Sequence, residues 1–184
     1  MTNFKINSTF IDGLKVVEPR AFEDNRGFFF ESYKSSVFEG CGIEGKILQV
    51  NQSFSVKSVV RGLHFQKREY GQGKLVRCLS GEIYDVAVDL RKNSPTFGKY
   101  FGIDLTAENR LMLYIPVGFA HGFSVLSKTA EVSYDVFGAE YNKESEGGVR
   151  FDDPDLNIDW KVEGPIVSEK DLVLPFLKEL KYHF

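Results

Sequence analysis

Gly81-Glu82-Ile83-Tyr84-Asp85-Val86-Ala87-Val88-Asp89-Leu90 alternates along its whole length. Strand side chains point to opposite faces with a period of two. Tyr84, Val86, Val88 and Leu90 therefore share one face, and Ile83, Asp85, Ala87 and Asp89 the other. Just upstream, residues 75–79 form a second strand-like run, and Ser80-Gly81 between the two predicts a tight hairpin. Working outward, residues 49–55 alternate after an apolar lead-in, and 111–115, 122–126 and 130–137 read as further strands. Many short strands separated by Gly, Asn, Asp and Ser predict an all-β sandwich or barrel. Helix signals are few. Residues 32–39 follow a strand at 28–30, and Ser168-Glu169-Lys170-Asp171 begins with a good N-cap and places Asp171 where a capping-box acid would stand. Pro175 keeps that second helix short, and residues 106–109 read as a turn.

The chain has 184 residues, a net charge of −3, 42% hydrophobic residues and 14% aromatic ones. That length suits a single domain over residues 1–184, with a core large enough to need no disulfide or metal staple. No block of Lys and Arg marks a nucleic-acid footprint. Cys41 and Cys78 fit no CxxC pattern. The N-terminal MTNFKINSTF lacks the basic start and apolar run of a signal peptide. No stretch approaches the roughly 18 apolar residues of a membrane helix. The expectation is a reduced, cytoplasmic protein that binds neither nucleic acid nor membrane. Most of the 17 Phe are expected in the core. Imidazole chemistry at neutral pH is confined to His64, His121 and His183, and His183 carries no signal of a role.

Four clusters carry possible chemistry. In Arg61-Gly62-Leu63-His64-Phe65-Gln66, strict alternation puts Arg61 and His64 on opposite faces. Both can line one cavity only if the strand bulges, which Gly62 would permit; otherwise Arg61 is a surface residue and His64 a structural one. Pro116-Val117-Gly118-Phe119-Ala120-His121-Gly122-Phe123 contains P-x-G-x-x-H, half of the metal-binding signature of the double-stranded β-helix (cupin) fold. The other half, an H-x-H pair, is missing: only His64 stands there. Two separated histidines fall short of the three or four ligands that stable sites use, so the barrel is read as metal-free. Lys74, in Gly73-Lys74-Leu75-Val76-Arg77, is either solvated or, in a cavity with Arg61 and Arg26, an anion or oxyanion binder. Tyr134 shares the apolar face of its strand with Val132 and Val136 and points inward, as core or as a site hydroxyl.

In order along the chain, Asp24-Asn25-Arg26-Gly27-Phe28-Phe29-Phe30-Glu31, Gln49-Val50-Asn51, RGLHFQ at 61–66, GKLVR at 73–77, DVAVDLR at 85–91, residues 116–123 and Asp152-Asp153-Pro154 resemble the dTDP-4-dehydrorhamnose 3,5-epimerases of dTDP-L-rhamnose and O-antigen biosynthesis. The likeness runs from about Gly13 to Asp171. It implies an all-β double-stranded β-helix (cupin-type jelly roll) with a few short helices, a homodimer, and a site needing neither metal nor cofactor. The implied substrate is a dTDP-linked 4-keto-6-deoxyhexose, whose ketone acidifies the hydrogens on C3 and C5. By resemblance His64 is the base with Asp171 as its partner, Tyr134 the opposing acid and Lys74 the enolate stabiliser. Arg26 and Glu31 match nucleotide contacts reaching across the dimer. Gln49, Asn51, Arg61 and Lys74 match sugar and phosphate contacts. His121 matches a second site histidine oriented by Asp85, Tyr141 the aromatic stacked on the base, and Glu146 and Lys170 further binding positions. Asp135 replaces the usual Lys, Phe151 the usual Trp, and the loop from 135 to 141 is one residue longer. Alternatives are a mono-epimerase acting at C3 or C5 alone, a metal-dependent cupin oxygenase and a non-catalytic sugar binder.

Overall fold

The computed structural model of the chain describes residues 2–182 and 184; His183 lies outside the described residues. The strands are β1 (Phe4–Ser8), β2 (Lys15–Pro19), β3 (Phe22–Asp24), β4 (Gly27–Phe29), β5 (Ile47–Val56), β6 (Val60–Gln66) and β7 (Gly73–Ser80). They continue with β8 (Glu82–Asp89), β9 (Tyr100–Thr106), β10 (Met112–Ile115), β11 (Phe119–Val125), β12 (Thr129–Phe137) and β13 (Glu146–Gly148). The helices α1 (Ser35–Glu39) and α2 (Glu169–Leu172) are short, as expected. Six strands form one sheet in the order β1-β2-β10-β7-β12-β5, and five form a second in the order β13-β6-β11-β8-β9. β3 and β4 pair as a separate hairpin. The two antiparallel sheets stack face to face as a jelly roll, matching the double-stranded β-helix expectation.

The alternation of residues 81–90 explains the layering. Ile83 and Ala87 join Val76, Leu113, Phe119 and Val132 between the sheets. Tyr84, Val86, Val88 and Leu90 face the other way, where Val149, Leu156 and Trp160 of the C-terminal segment cover them. A third cluster, including Phe38, Leu75, Met112 and Phe137, closes the outer face of the larger sheet. Asp89, fully buried, accepts from Arg91, Ser94 and Thr96. Burial pushes its pKa up, but those bonds prevail and hold it at about 2.

One expectation is corrected. Ser80-Gly81 does not close a hairpin: β7 pairs with β10 and β12, whereas β8 pairs with β9 and β11 in the other sheet. The turn is a corner from one layer to the next. Turn residues report that the chain reverses, not which neighbour it then pairs with. Most phenylalanines lie in the core or pack against it, Phe30, Phe101, Phe151 and Phe184 as partly buried members of the clusters. Phe4, Phe38, Phe65, Phe119, Phe123 and Phe137 are buried, but Phe10, Phe22, Phe28, Phe29 and Phe54 are exposed. Three of the exposed five sit on the β3–β4 hairpin and one on the edge strand β5, surfaces that this chain alone does not cover. Among the described residues, no helix is long and apolar enough to cross a membrane.

Candidate active site

The bulge that Gly62 permits is present. His64 pairs with His121 and Arg61 with Phe123, so three steps along β6 match two along β11. The extra residue reverses the alternation, and Arg61 and His64 both line one cavity of about 510 Å³. Gly62 has φ +120°, and a Cβ there would lie 2.6 Å from Gly122 Cα and 2.7 Å from the His121 carbonyl oxygen. Gly62→Ala therefore combines positive-φ strain with a backbone clash and is expected to destabilise the fold by about 3 kcal/mol. In a thermal melt this is a drop of roughly 6–12 °C, accompanied by lost activity as His64 is displaced. An unchanged midpoint with full turnover would show that the close approach is not required.

The cavity lies between the sheets. Lys74 on β7 and Tyr134 on β12 come from the larger sheet, and Arg61, His64 and His121 from the smaller, with Asp171 brought in by α2. His64 Nε2 lies 2.7 Å from Asp171 Oδ1, and the Gly62 N–H donates to Asp171 Oδ2 at 3.3 Å. Ser168 caps α2 as expected, its Oγ accepting the Asp171 N–H at 3.1 Å. Only half of the helix-start reading holds: Ser168 caps the Asp171 N–H, but the Asp171 carboxylate turns to His64 and Gly62 and closes no capping box with the Ser168 N–H. Asp171 is 4% exposed. Burial alone raises its pKa, but the bonds from His64, Gly62 and Ser168 bring it below the usual carboxylate value, so it stays ionised at neutral pH.

On the adjoining strand, buried His121 Nε2 lies 2.8 Å from buried Asp85 Oδ1. Burial lowers Lys74 to about 8, against the opposing pull of the Asp85 and Glu146 charges. Its ammonium stands 5.7 Å from the centre of the Tyr134 ring. Burial raises the Tyr134 hydroxyl above its ordinary value, with Arg61 acting against this and Glu146 with it, so it holds its proton at neutral pH. A lysine at about 8 loses its charge as pH rises through that value. If its charge binds the developing oxyanion, kcat/KM should decline above about pH 8. Lys74→Arg, which stays cationic, should lose that alkaline limb along with part of its rate. An identical limb in the Arg variant would assign it to another group.

A polar chain runs outward from the rim. Lys170 Nζ meets Glu146 Oε1 at 2.5 Å, and the Tyr141 hydroxyl donates to Glu146 Oε2 at 2.8 Å. The Tyr141 N–H donates to Gln49 Oε1 at 3.0 Å, and Gln49 Nε2 donates to Asn51 Oδ1 at 2.7 Å. Arg61 is held by Ser55 Oγ at 2.9 Å. Arg26 and Glu31 are not brought to this cavity. Arg26 stands on the β3–β4 hairpin, paired with Asp24 at 2.6 Å, and Glu31 accepts from Asn3 at 2.7 Å. The expectation that Arg26 shares a cavity with Arg61 is corrected within a single chain, because the hairpin belongs to neither main sheet.

Sequence reasoning missed Ser53, Phe123, Ile166 and Val167 in the lining. Ser53 was readable, since it continues the Gln49–Asn51 face of β5 at period two. Ile166 was not: it arrives through an isolated parallel bridge to Val59. Among the described residues, no three His, Cys, Asp or Glu side chains converge as a metal site requires.

A cavity whose two walls carry proton-exchanging groups suits an isomerase, which must take a proton from one side of a molecule and return it to the other. Comparison with known proteins narrows this class. The family model for dTDP-4-dehydrorhamnose 3,5-epimerase matches residues 8–179. A dTDP-4-dehydrorhamnose 3,5-epimerase of Shigella flexneri is 50% identical, covering 89% of this chain and 91% of its own. The crystal structure of the Elizabethkingia anophelis enzyme of that name superposes with a TM-score of 0.94 at 50% identity, covering 98% of this chain and 100% of its own. A Legionella pneumophila dTDP-6-deoxy-D-glucose-3,5-epimerase, crystallised with dTDP-4-keto-L-rhamnose, superposes at 0.93 with 44% identity, covering 97% and 95%. The chain belongs to the dTDP-4-dehydrorhamnose 3,5-epimerase family.

Proposed function

We propose that this protein converts dTDP-4-dehydro-6-deoxy-D-glucose to dTDP-4-dehydro-L-rhamnose by inverting C3 and C5. The observation that carries this reading is the placement of the His64–Asp171 pair and Tyr134 on opposite sheets across one cavity. The bond from Nε2 to Asp171 leaves Nδ1 of His64 as the free base. The C–H bond next to the ketone breaks, its proton passes to His64, and its electron pair moves onto the C4 oxygen as an enolate. Lys74 stabilises that oxygen. The enolate then collapses, and carbon takes the Tyr134 proton on the opposite face. The second carbon inverts the same way once the site has re-equilibrated its protons. The substrate's own ketone supplies the acidity. Arg61 and Lys170 supply positive charge for the diphosphate, and Tyr141 a ring for the base.

A homodimer completes the binding surface in this proposal. Val50 and Phe54, 61% and 58% exposed, form part of an apolar stripe on the edge strand β5, and Phe28 and Phe29 expose another on the hairpin. A second copy would cover both and bring Arg26 and Glu31 to its neighbour's nucleotide. We place the reaction in the cytoplasm, consistent with Cys41 and Cys78 both being free thiols.

The test is incubation with dTDP-4-keto-6-deoxyglucose in D2O. Deuterium at both C3 and C5 of an inverted product supports the proposal. Label at one carbon makes the protein a mono-epimerase, and no label with tight binding rejects catalysis on this sugar. Sedimentation at micromolar concentration tests the dimer, and a monomer would leave Arg26 and Glu31 without a site.

A further inference from the structure

The inward face of β5 carries four polar residues in succession: Gln49, Asn51, Ser53 and Ser55. Three are satisfied inside the protein. Gln49 bonds Asn51, and Ser55 accepts from Arg61. Ser53 is the exception: its Oγ is buried without a hydrogen-bond partner among the described residues, yet the residue lines the cavity. A buried hydroxyl left unpaired is destabilising, and proteins rarely leave one without a reason. Ser53 lies opposite Val132, one pleat from the Asn51–Tyr134 pair, on the wall that carries Tyr134.

We propose that Ser53 is a substrate-binding residue whose hydroxyl pairs with the C2 hydroxyl of the sugar. This rests on the epimerase reading above. In that reaction C1 carries the diphosphate, C4 is the ketone, and C3 and C5 invert. C2 therefore bears the one ring hydroxyl whose position is unchanged from substrate to product. A side chain on a rigid strand can hold such a group through both inversions. Rotation about a single bond, between staggered positions, turns Oγ toward the sugar. Because the hydroxyl is unpaired without substrate, removing it takes no bond from the folded protein.

The test compares wild type with Ser53→Ala on dTDP-4-keto-6-deoxyglucose and on its 2-deoxy analogue. On the full substrate, Ser53→Ala should lose about tenfold in kcat/KM, the scale of one hydrogen bond to substrate. On the 2-deoxy analogue the two proteins should agree within twofold, and the melting midpoint of Ser53→Ala should not fall below wild type. Wild-type activity of Ser53→Ala on the full substrate overturns the assignment. So does an equal loss on both substrates, the signature of a structural hydroxyl. Failure of the epimerase reading looks different: wild type itself then places no deuterium at C3 or C5.

Discussion

His64→Ala and His64→Gln are both expected to lose turnover by about 10³-fold, within the range that a positioned acid–base group contributes. The two substitutions separate chemistry from structure. Asp171 is 4% exposed and bonded to His64 Nε2 at 2.7 Å. Removing the ring strips a buried carboxylate of its main partner, so His64→Ala should also melt earlier. The carboxamide of glutamine reaches roughly where Nε2 stands and can still donate to Asp171, but it has no basic nitrogen. His64→Gln should therefore keep the wild-type midpoint while losing solvent exchange at C3 and C5. Turnover within tenfold of wild type in His64→Gln would falsify the base assignment, because nothing else in that variant could replace the imidazole at that position.

Tyr134→Phe should lose inverted product by about 10²–10⁴-fold, again the general acid–base range, with a different isotopic signature. The ring and its packing remain, including the contact with the Lys74 ammonium. Burial keeps the wild-type hydroxyl protonated at neutral pH, so the variant lacks a donor on that wall. His64 is untouched and can still remove a proton and return it to the same face. In D2O the recovered substrate should carry deuterium without inversion. Product formed at the wild-type rate would remove Tyr134 from the reaction. Loss of both exchange and product would instead tie the hydroxyl to proton removal.

The strands were legible because period-two alternation is local: residues 82–89 and 129–137 declare their two faces without reference to partners. The Ser168 cap was legible for the same reason, a serine acting on an N–H three residues on. The side chains proposed to react were named through motif resemblance, and the bulge at Gly62 was anticipated through the conflict between alternation and a shared site for Arg61 and His64. What failed was non-local. Ser80-Gly81 looks like any hairpin turn, and only the competition among β9 to β12 for neighbours sends β7 and β8 to different sheets. The exposed phenylalanines of the hairpin carry the same residue type as the core ones, and burial is a property of what lies opposite.

The sequence by itself determined the kind of element at each position and the chemistry that each motif can offer, since propensity, pleat and side-chain identity act over a few residues. Only the tertiary structure decided that His64 meets an aspartate 107 residues away, that Tyr134 faces it from the other sheet, and that Ser53 alone among its strand neighbours is left unpaired. Those facts depend on how two sheets stack and on which distant backbone reaches the cavity. Packing of the whole chain settles both, and no short window of sequence encodes it.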